Sequence, residues 1–454
     1  MRELLIPAMS PTAINGHLEG DAYYYHQTAQ AQAITIKNKG WAAFKLHPLG
    51  QGPAGIASAL YMIWDSPYSV VVLNCLLHSL SVLVMVLLLT NWFDWRVAVL
   101  SALPLALSPY MMLWFSQVNK ESMAITGSML FVFGLVRLMG WQRPELLQSA
   151  LKSFVIMLCA IVMIWVVRPY VNQMLLPITA FAVLVAIAWR IWQKRRGTAL
   201  FASVGISVVL ALFLFGTGAV SDKTLAQFDG YDPTRSQLDA VQPFEPVDKC
   251  LRAIALKNWQ DADLLPDYAN RKLKAFAGQR CNTLSLLNMQ TGLTTRSSFV
   301  DADFYPGSSL EMLGYLPRAF LLGVFSPWPD KWFYFSDGKP SVFYSLASFE
   351  AILAYLGIGG LAVWLYRGGS RNILLPLSIA ATLMTLYAMA TPFIGALYRY
   401  RYPWWMIMIC LGLACVMSTL SFFKVGNGVP GNSVQPNLQS ANGHPAMKGS
   451  GAEQ

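Results

Sequence analysis

The sequence predicts an all-α polytopic membrane protein, on the basis of its composition and the spacing of its apolar segments. Of its 454 residues, 55% are hydrophobic and only 12% are charged, whereas a soluble domain carries about 25% charged residues. A membrane-spanning helix needs ~20 consecutive, mostly apolar residues. Segments of this kind recur along the chain, separated by short polar loops and one larger polar stretch.

Nine segments are long and apolar enough to be predicted as spanning helices. They are Tyr68–Trp92, Val97–Phe115, Ser122–Met139, Leu151–Val167, Tyr170–Trp192, Leu200–Val220, Val342–Tyr366, Ile373–Ala390 and Trp404–Phe423. Two further apolar segments, Gln51–Trp64 and Met312–Trp328, are interrupted by proline. We expect both to lie at the membrane interface or to re-enter the membrane. The prediction is therefore about 9–11 transmembrane helices.

These segments divide the chain into five parts. In order, they are an external first loop with an interfacial helix (1–66), transmembrane helices (67–220), an external loop (221–309), a re-entrant segment followed by the last transmembrane helices (310–423) and a cytoplasmic tail (424–454). The loop at 221–309 is too small for an ordinary catalytic domain, so we expect a cap over the bundle. The tail is rich in Gly, Asn, Ser and Pro, which predicts disorder.

Basic residues in the short loops predict the orientation of the helices, because cytoplasmic loops carry an excess of Lys and Arg. The densest basic cluster lies at 190–196. With that loop in the cytoplasm, the opposite face receives Ser116–Glu121, Arg168, the stretch 222–309 and Thr391–Arg401. The formal net charge of +10 suits loops held against anionic membrane lipid. No Lys/Arg run is long enough to predict a nucleic-acid partner.

The start of the chain leaves an alternative open. The first seven residues are too short and interrupted for a signal peptide. An external N-terminus without a preceding helix is unusual, so either a first spanning helix is missing or residues 2–14 form the stub of one.

Two cysteines, Cys250 and Cys281, lie in the large polar loop. In an oxidising compartment they are candidates for a disulfide, with free thiols as the alternative. The other four cysteines lie in apolar segments and are expected to act as small hydrophobic residues.

Several polar groups fall on the predicted external face, where functional residues of a membrane protein are expected to stand out against an apolar background. A carboxylate there can act as a general base toward a hydroxyl, and arginine binds phosphate through paired hydrogen bonds. Tyrosine and tryptophan stack on sugars or lie in the interfacial belt. Together they predict a site for a lipid-linked phosphosugar. The groups are Asp21 and His26, His47, Asn119–Glu121, Arg168, and Tyr398–Arg401.

Short motifs along most of the chain resemble the C-class (GT-C) glycosyltransferases, integral membrane enzymes that use polyprenyl-phosphate sugars. The resemblance is greatest to the protein-mannosyltransferase and aminoarabinose-transferase group and to membrane proteins of polysaccharide gene clusters. It rests on Gly20-Asp21-Ala22-Tyr23-Tyr24, His47-Pro48-Leu49-Gly50 with Leu60-Tyr61, Asn119-Lys120-Glu121-Ser122, Tyr315-Leu316-Pro317-Arg318 with Pro327-Trp328, and Leu397-Tyr398-Arg399-Tyr400-Arg401.

The resemblance implies a GT-C-like bundle in a bacterial inner membrane, with its active face in the periplasm. Its donor would be an undecaprenyl-phosphate-linked sugar, and its acceptor a glycan or lipid. Asp21 would be the catalytic base and Glu121 a second acid; some members also need a divalent metal ion, which these two acids could share. Lys120, Arg399 and Arg401 would meet the lipid phosphate. Three further residues on the same predicted face are candidates for substrate binding, namely His47, Arg168 and Tyr398.

Each candidate also has a purely structural interpretation. Asp21 could cap a helix, Lys120 and Glu121 could form an ion pair at a helix start, and Arg168 could extend its head group to the interface. His47 and His26 are expected to be a structural residue and a polar surface residue, respectively.

Two other functions remain open. An O-antigen or exopolysaccharide polymerase or ligase would place its key arginines in the large loop, where Arg235, Arg252, Arg271, Arg280 and Arg296 lie. A lipid-glycan flippase or transporter would carry polar residues at mid-membrane and paired broken helices.

Overall fold

The computed structural model describes residues 21–138, 146–175, 177–179, 181, 259–291, 299–332, 335–336, 339–340 and 342–420. The predicted span Leu200–Val220, the basic cluster at 190–196, Cys250, the first 20 residues and the tail at 424–454 lie outside the described residues.

The described part of the chain is mainly helical. The first eight helices are α1 (Asp21–Lys39), α2 (Gly52–Ile63), α3 (Tyr68–Leu89), α4 (Trp95–Ser101), α5 (Leu103–Leu107), α6 (Pro109–Phe115), α7 (Glu121–Leu138) and α8 (Leu146–Val167). Six more follow: α9 (Asp267–Thr291), α10 (Ser309–Gly314), α11 (Leu316–Phe325), α12 (Val342–Tyr366), α13 (Leu374–Ala390) and α14 (Ile394–Thr419). Residues 169–175 are also helical. Two short strands, β1 (Phe335–Ser336) and β2 (Lys339–Pro340), pair antiparallel.

Four of these helices are long and apolar enough to cross a membrane: α3, α7, Ser345–Tyr366 of α12, and α14. A fifth crossing is available if α4 to α6 count as one span, although the chain bends by 56° between Leu107 and Pro109. Three shorter apolar helices are α2, Leu151–Val167 within α8, and α13. The prediction of an all-α membrane protein is therefore supported by the described residues. The count of about 9–11 crossings stays a prediction, since two of the nine predicted spans lie largely outside them.

Helices α7 and α14 lie at the centre of the bundle, whereas α3 lies at its edge. Of the apolar window in α7, 83% is buried, compared with 28% in α3. The exposed apolar residues of α3 recur at helical spacing, so they form one outward face suited to lipid. They are Val72, Leu76, Leu80, Leu83 and Leu87.

Glycine residues allow the central helices to approach each other closely. A Cβ on Gly127 or Gly134 of α7 would clash with the side chains of α8, at 2.8 Å from Ile164 Cγ1 and 2.5 Å from Met157 Cγ, respectively. On the other side of the bundle, a Cβ on Gly412 of α14 would lie 2.4 Å from the Cα of Gly357 in α12. Small residues at contacts of this kind are typical of helices packed in membranes.

Helices α1 and α2 lie across one end of the long helices. At the first end of α1, Asp21 pairs with Arg399 near the start of α14, and at its other end Lys37 pairs with Asp65, just before α3 begins. Both ends of a helix ~27 Å long therefore meet the same end of the bundle. Helix α2 has 12 residues, too few to cross a bilayer, which agrees with the interfacial helix predicted at Gln51–Trp64.

Two predicted spans differ from the structure at this end of the bundle. Val97–Phe115 is not one straight helix, because Pro104 and Pro109 interrupt its backbone hydrogen bonding and Ser108 caps α6 by accepting from Met111 N at 3.3 Å. The last helix begins at Ile394, ten residues before the predicted Trp404. The arginines and tyrosines at 398–402 are thus helical and not in a loop, since their polar groups find partners inside the protein.

The described part of the polar stretch packs over the same end. Val300 N donates to Pro392 O at 2.8 Å, just before α14, and Lys272 of α9 donates to Gln173 at 3.1 Å, shortly after α8. We call residues 299–304 the strap. The described residues of the predicted cap thus lie at the same end of the bundle as α1.

Candidate functional site

Four elements meet at this end and bring together four charged side chains, which we call the ion cluster: Asp21, Glu121, Arg168 and Arg399. Asp21 opens α1, Glu121 opens α7, Arg168 follows the last residue of α8, and Arg399 lies in the second turn of α14. These residues are far apart in sequence, and the antiparallel course of the helices returns the chain to the same end each time.

Arg399 is at the centre of the ion cluster. Its Nη1 donates to Asp21 Oδ2 at 3.0 Å, its Nη2 donates to Glu121 Oε2 at 3.1 Å and to Asn119 Oδ1 at 2.8 Å, and its Nε also donates to Glu121. The guanidinium lies over the ring of Trp114, 4.6 Å from its centroid. Arg399 therefore links the two predicted acids, and its side chain is only 12% exposed.

Glu121 has a second cationic partner. Arg168 Nη2 donates to Glu121 Oε1 at 2.7 Å, and both side chains are buried. Arg168 also lies over the ring of Tyr400, at 4.8 Å. A buried carboxylate needs such pairing, because an unpaired charge away from water is strongly destabilising. The interpretation of Arg168 as an arginine reaching to the interface is therefore wrong.

Asp21 differs from Glu121 because it remains open to solvent. Its side chain is 51% exposed, and among the described residues only one of its carboxylate oxygens makes a hydrogen bond, to Arg399. The other oxygen is free to accept a proton or a hydrogen bond, as a general base requires. Asp21 is also the first residue of α1, where a carboxylate favours the helix N-terminus.

Lys120 adds a positive charge beside the ion cluster. Its ammonium lies 5.6 Å from the centroid of the Tyr25 ring, and it has no hydrogen-bond partner among the residues that the structure describes. Burial lowers the pKa of Lys120 to about 8, although the nearby charge of Asp21 opposes this effect. The structural interpretation of Lys120 was an ion pair with Glu121 at the start of α7. Glu121 instead forms its ion pairs with Arg168 and Arg399.

Two more nitrogen donors of this region lack a hydrogen-bond partner in the described part of the chain, namely Asn119 Nδ2 and Arg168 Nε. Arg168 belongs to the ion cluster, and Asn119 accepts a hydrogen bond from Arg399 within it. Buried donors are normally satisfied, so donors left over around a positively charged group favour an anionic ligand or water.

His47 lies apart from the ion cluster, at the junction between the 3-10 turn Pro48–Gly50 and α8. Its Nε2 lies 3.0 Å from Val166 O, and its ring packs edge-on against Trp165. These contacts hold the first loop against the end of α8, so they support the structural interpretation. His26 is buried and bonded through Nδ1 to Tyr61 OH at 2.7 Å, so the expectation of a surface residue is wrong.

Arg401 does not share a site with Arg399. It is buried, and it donates to Leu322 O at 3.1 Å, Gly323 O at 2.7 Å and both oxygens of Ser326. It thus satisfies the carbonyls at the end of α11. The prediction that Arg399 and Arg401 meet one phosphate is therefore corrected. Residues two positions apart on a helix point in nearly opposite directions.

Tyr398 also faces away from the ion cluster, toward a buried acid that sequence reasoning missed. Its hydroxyl donates to Glu350 of α12, which also accepts from Ser108 Oγ at 2.6 Å and from Tyr402 OH at 3.3 Å. The signal was present in the sequence, since Glu350 is a lone carboxylate inside the predicted span Val342–Tyr366, and such residues are functional candidates by default.

A metal ion shared by Asp21 and Glu121 does not fit this arrangement. The guanidinium of Arg399 lies between the two acids and already donates to both. Among the described residues, no group of three or more His, Cys, Asp or Glu side chains could hold a metal ion.

Cys281, in α9, is disulfide-bonded, while Cys250 lies outside the described residues. The other four cysteines are free thiols, of which Cys410 and Cys415 are buried in α14. 

Comparison of the chain with protein-family models, curated proteins and solved structures finds no match.

Proposed function

We propose that this protein is a glycosyltransferase of the bacterial inner membrane, which moves a sugar from a polyprenyl-phosphate donor to a glycan or lipid acceptor. The transfer would take place on the periplasmic face, at the end of the bundle that holds the ion cluster. The resemblance to C-class glycosyltransferases motivated the proposal, and the chemistry of the site supports it.

The observation that carries the proposal is the charge balance around Asp21. Two carboxylates, Asp21 and Glu121, face three cations, Lys120, Arg168 and Arg399. The sum is one positive charge, and it is accompanied by nitrogen donors without a partner among the described residues. An anionic group such as a phosphate diester would neutralise the site and satisfy those donors. The half-exposed carboxylate of Asp21 lies beside these donors.

The proposed reaction uses these groups as follows. Asp21 accepts the proton of an acceptor hydroxyl, whose oxygen forms a bond to the anomeric carbon of the donor sugar. The bond between that carbon and the phosphate oxygen breaks, and its electron pair leaves with the lipid phosphate. Lys120 and Arg399 stabilise the negative charge that grows on this leaving group. Glu121 and Arg168 hold Arg399 in place.

The proposal is tested by complementing a deletion strain and reading its surface glycan by gel and mass spectrometry. Wild type, Asp21→Asn and Asp65→Asn are compared at matched expression. Asp65 is a matched control, because it also forms an ion pair at an end of α1, with Lys37, but at the end opposite Asp21. We expect Asp65→Asn to restore the glycan and Asp21→Asn to leave it without one sugar. Full restoration by Asp21→Asn would refute the role of Asp21 as base.

The same experiment separates the alternatives. A polymerase or ligase would lose glycan chain length without losing any single sugar. Of its candidate arginines, Arg280 is buried and donates to the carbonyls of Val300 and Asp301, which favours a structural role. A transporter would tolerate Asp21→Asn.

A further inference from the structure

The buried acid Glu350 has no function in the reaction proposed above, although it lies near the ion cluster. Its side chain is 4% exposed. Among the described residues its hydrogen-bond partners are three hydroxyl groups, and the buried guanidinium of Arg401 is close enough to attract it electrostatically. A carboxyl group buried in this way inside a membrane helix is expensive, so its contacts call for an explanation.

The three hydroxyls belong to two elements that shape the surroundings of Arg399. Tyr398 and Tyr402 are four residues apart on α14, hence on the same helical face, and both donate to Glu350. Ser108 caps the start of α6, and its hydroxyl donates to the same carboxyl group. Glu350 of α12 is therefore hydrogen-bonded both to one face of α14 and to the cap of α6.

Arg399 depends on both of these elements. It follows Tyr398 directly on α14, and its guanidinium rests on Trp114 of α6. The segment after α6 supplies Asn119 and Glu121, which accept from the same guanidinium. A rotation of α14, or a shift of α6, would thus change the distance between Arg399 and its acidic partners.

We propose that Glu350 is a positioning residue, which acts through Tyr398, Tyr402 and Ser108 to hold Arg399 against Asp21 and Glu121. The inference rests on the proposed function where it concerns catalysis, but the placement of Arg399 can be measured independently.

Arginine-specific modification by phenylglyoxal, quantified by peptide mass spectrometry, tests this placement in the full-length protein in detergent. The variants are Glu350→Gln, which replaces the carboxyl group by an amide of similar size, and Tyr398→Phe, which removes one hydroxyl and retains the ring. Tyr355→Phe is the matched control: it also lies on α12 and loses a hydroxyl bond, to Phe325 O at 3.0 Å, but that bond does not lead to Arg399. Arg367, at the other end of α12, is the internal reference for the reagent.

We expect Arg399 to be modified about fivefold faster in Glu350→Gln and Tyr398→Phe than in wild type, as the loss of one hydrogen bond implies. Arg367 should react equally in all variants, and Tyr355→Phe should match wild type at Arg399. Unchanged modification of Arg399 in both Glu350→Gln and Tyr398→Phe would overturn the proposal, as would an equal increase in Tyr355→Phe, which indicates general loosening.

Assay of the same preparations with a polyprenyl-phosphate sugar distinguishes this inference from the proposed function. Both the proposed function and the positioning of Arg399 are supported if wild type transfers the sugar, if kcat falls in Glu350→Gln and Tyr398→Phe, and if kcat is unaffected in Tyr355→Phe. An inactive wild type with the expected modification pattern overturns the proposed function alone and leaves the positioning of Arg399 established.

Discussion

Lys120 gives the candidate site a titration close to neutral pH. Its ammonium is half-buried beside Tyr25, and burial lowers its pKa to about 8 from the usual 10.5. A cation that loses its proton near this pH is well suited to report whether the site binds an anion.

We therefore predict that the affinity for a polyprenyl-phosphate donor falls as the pH rises through about 8. Below this pKa, Lys120 is charged and attracts the phosphate; above it, the neutral amine does not. The apparent KM for the donor, measured between pH 6.5 and 9.5, should increase in wild type. It should stay flat in Lys120→Arg, because a guanidinium remains protonated throughout this range. A flat profile in wild type would show that Lys120 does not bind the phosphate.

The partners of individual residues could be predicted from the sequence only in part. Counting helices placed Asp21, Glu121, Arg168 and Arg399 on one face, and the structure brings these four into contact. Arg401 was misplaced with them because 398–402 was predicted as a loop. In a helix, two residues that are two positions apart point about 160° away from each other, so Arg399 and Arg401 do not face the same ligand.

At the scale of the helices, α12 and α14 approach each other closely at glycines, among them Gly357 and Gly412. A Cβ on Gly412 would come within 2.4 Å of Gly357 Cα, whereas a Cβ on Gly359 of α12 would meet nothing within 4 Å. An alanine stabilises a helix relative to glycine by up to ~1 kcal/mol. The effect of the same substitution should thus have opposite signs at the two positions.

We predict that Gly412→Ala lowers the apparent melting temperature of the purified protein in detergent, since overpacking costs about 1–3 kcal/mol. Gly359→Ala should leave it unchanged or raise it slightly. The measurement is thermal unfolding followed by circular dichroism, with both variants in the same detergent. Equal melting temperatures for the two variants would mean that α12 and α14 do not pack closely at this glycine contact.

The strap at 299–304 is the element that ties the cap to the start of α14. Its residue Asp301 has a backbone φ of 49°, which is unfavourable for a residue other than glycine. Arg318 Nε and Nη2 donate to the Asp301 carboxylate at 3.0 and 3.1 Å, and Tyr315 OH donates at 2.9 Å. Although burial raises the pKa of Asp301, these bonds and the nearby arginine charges outweigh it and hold that pKa below the usual 3.8.

We predict that Arg318→Ala increases amide hydrogen exchange within residues 299–304, because Asp301 loses two of its three bonds. In wild type, the contribution of this carboxylate to stability is present above pH 3.8 and is lost as the pH falls through its lower folded pKa. Exchange is measured by mass spectrometry, with Arg367→Ala as the control because Arg367 lies at the far end of α12. Equal exchange in Arg318→Ala and wild type would show that the strap is held by other contacts.

At the scale of the whole molecule, apolar length predicted several of the crossings, since it sets whether a helix can span a bilayer. The predicted Tyr68–Trp92 corresponds to α3, and Ser122–Met139 to α7, within three residues at each end. The start of α14 was missed because residues 398–402 carry two arginines and three tyrosines, which lower its apolar character. The partners of Tyr398, Arg399, Arg401 and Tyr402 lie on α1, α6, α7, α11 and α12, so the local sequence does not show them.

The orientation of the bundle is the remaining prediction at this scale. Helix α3 has 22 residues, so its two ends are ~33 Å apart. Asn38 lies in the last turn of α1, near the beginning of α3, and Asn91 follows the end of α3; both are exposed. If the ion cluster faces the periplasm, these two asparagines lie on opposite sides of the inner membrane.

We predict that Asn38→Cys reacts with a membrane-impermeant maleimide in intact spheroplasts, whereas Asn91→Cys reacts only after the membrane is permeabilised. Both are made in a background in which the free thiols Cys75, Cys159, Cys410 and Cys415 are replaced by alanine, so that Cys281 keeps its disulfide. Labelling of Asn91→Cys alone in intact spheroplasts would place the ion cluster in the cytoplasm, where a lipid-linked donor of the proposed kind would need its sugar on the inner leaflet. Labelling of both would mean that α3 does not cross the membrane, because a helix of this length separates two aqueous compartments only when it spans the bilayer.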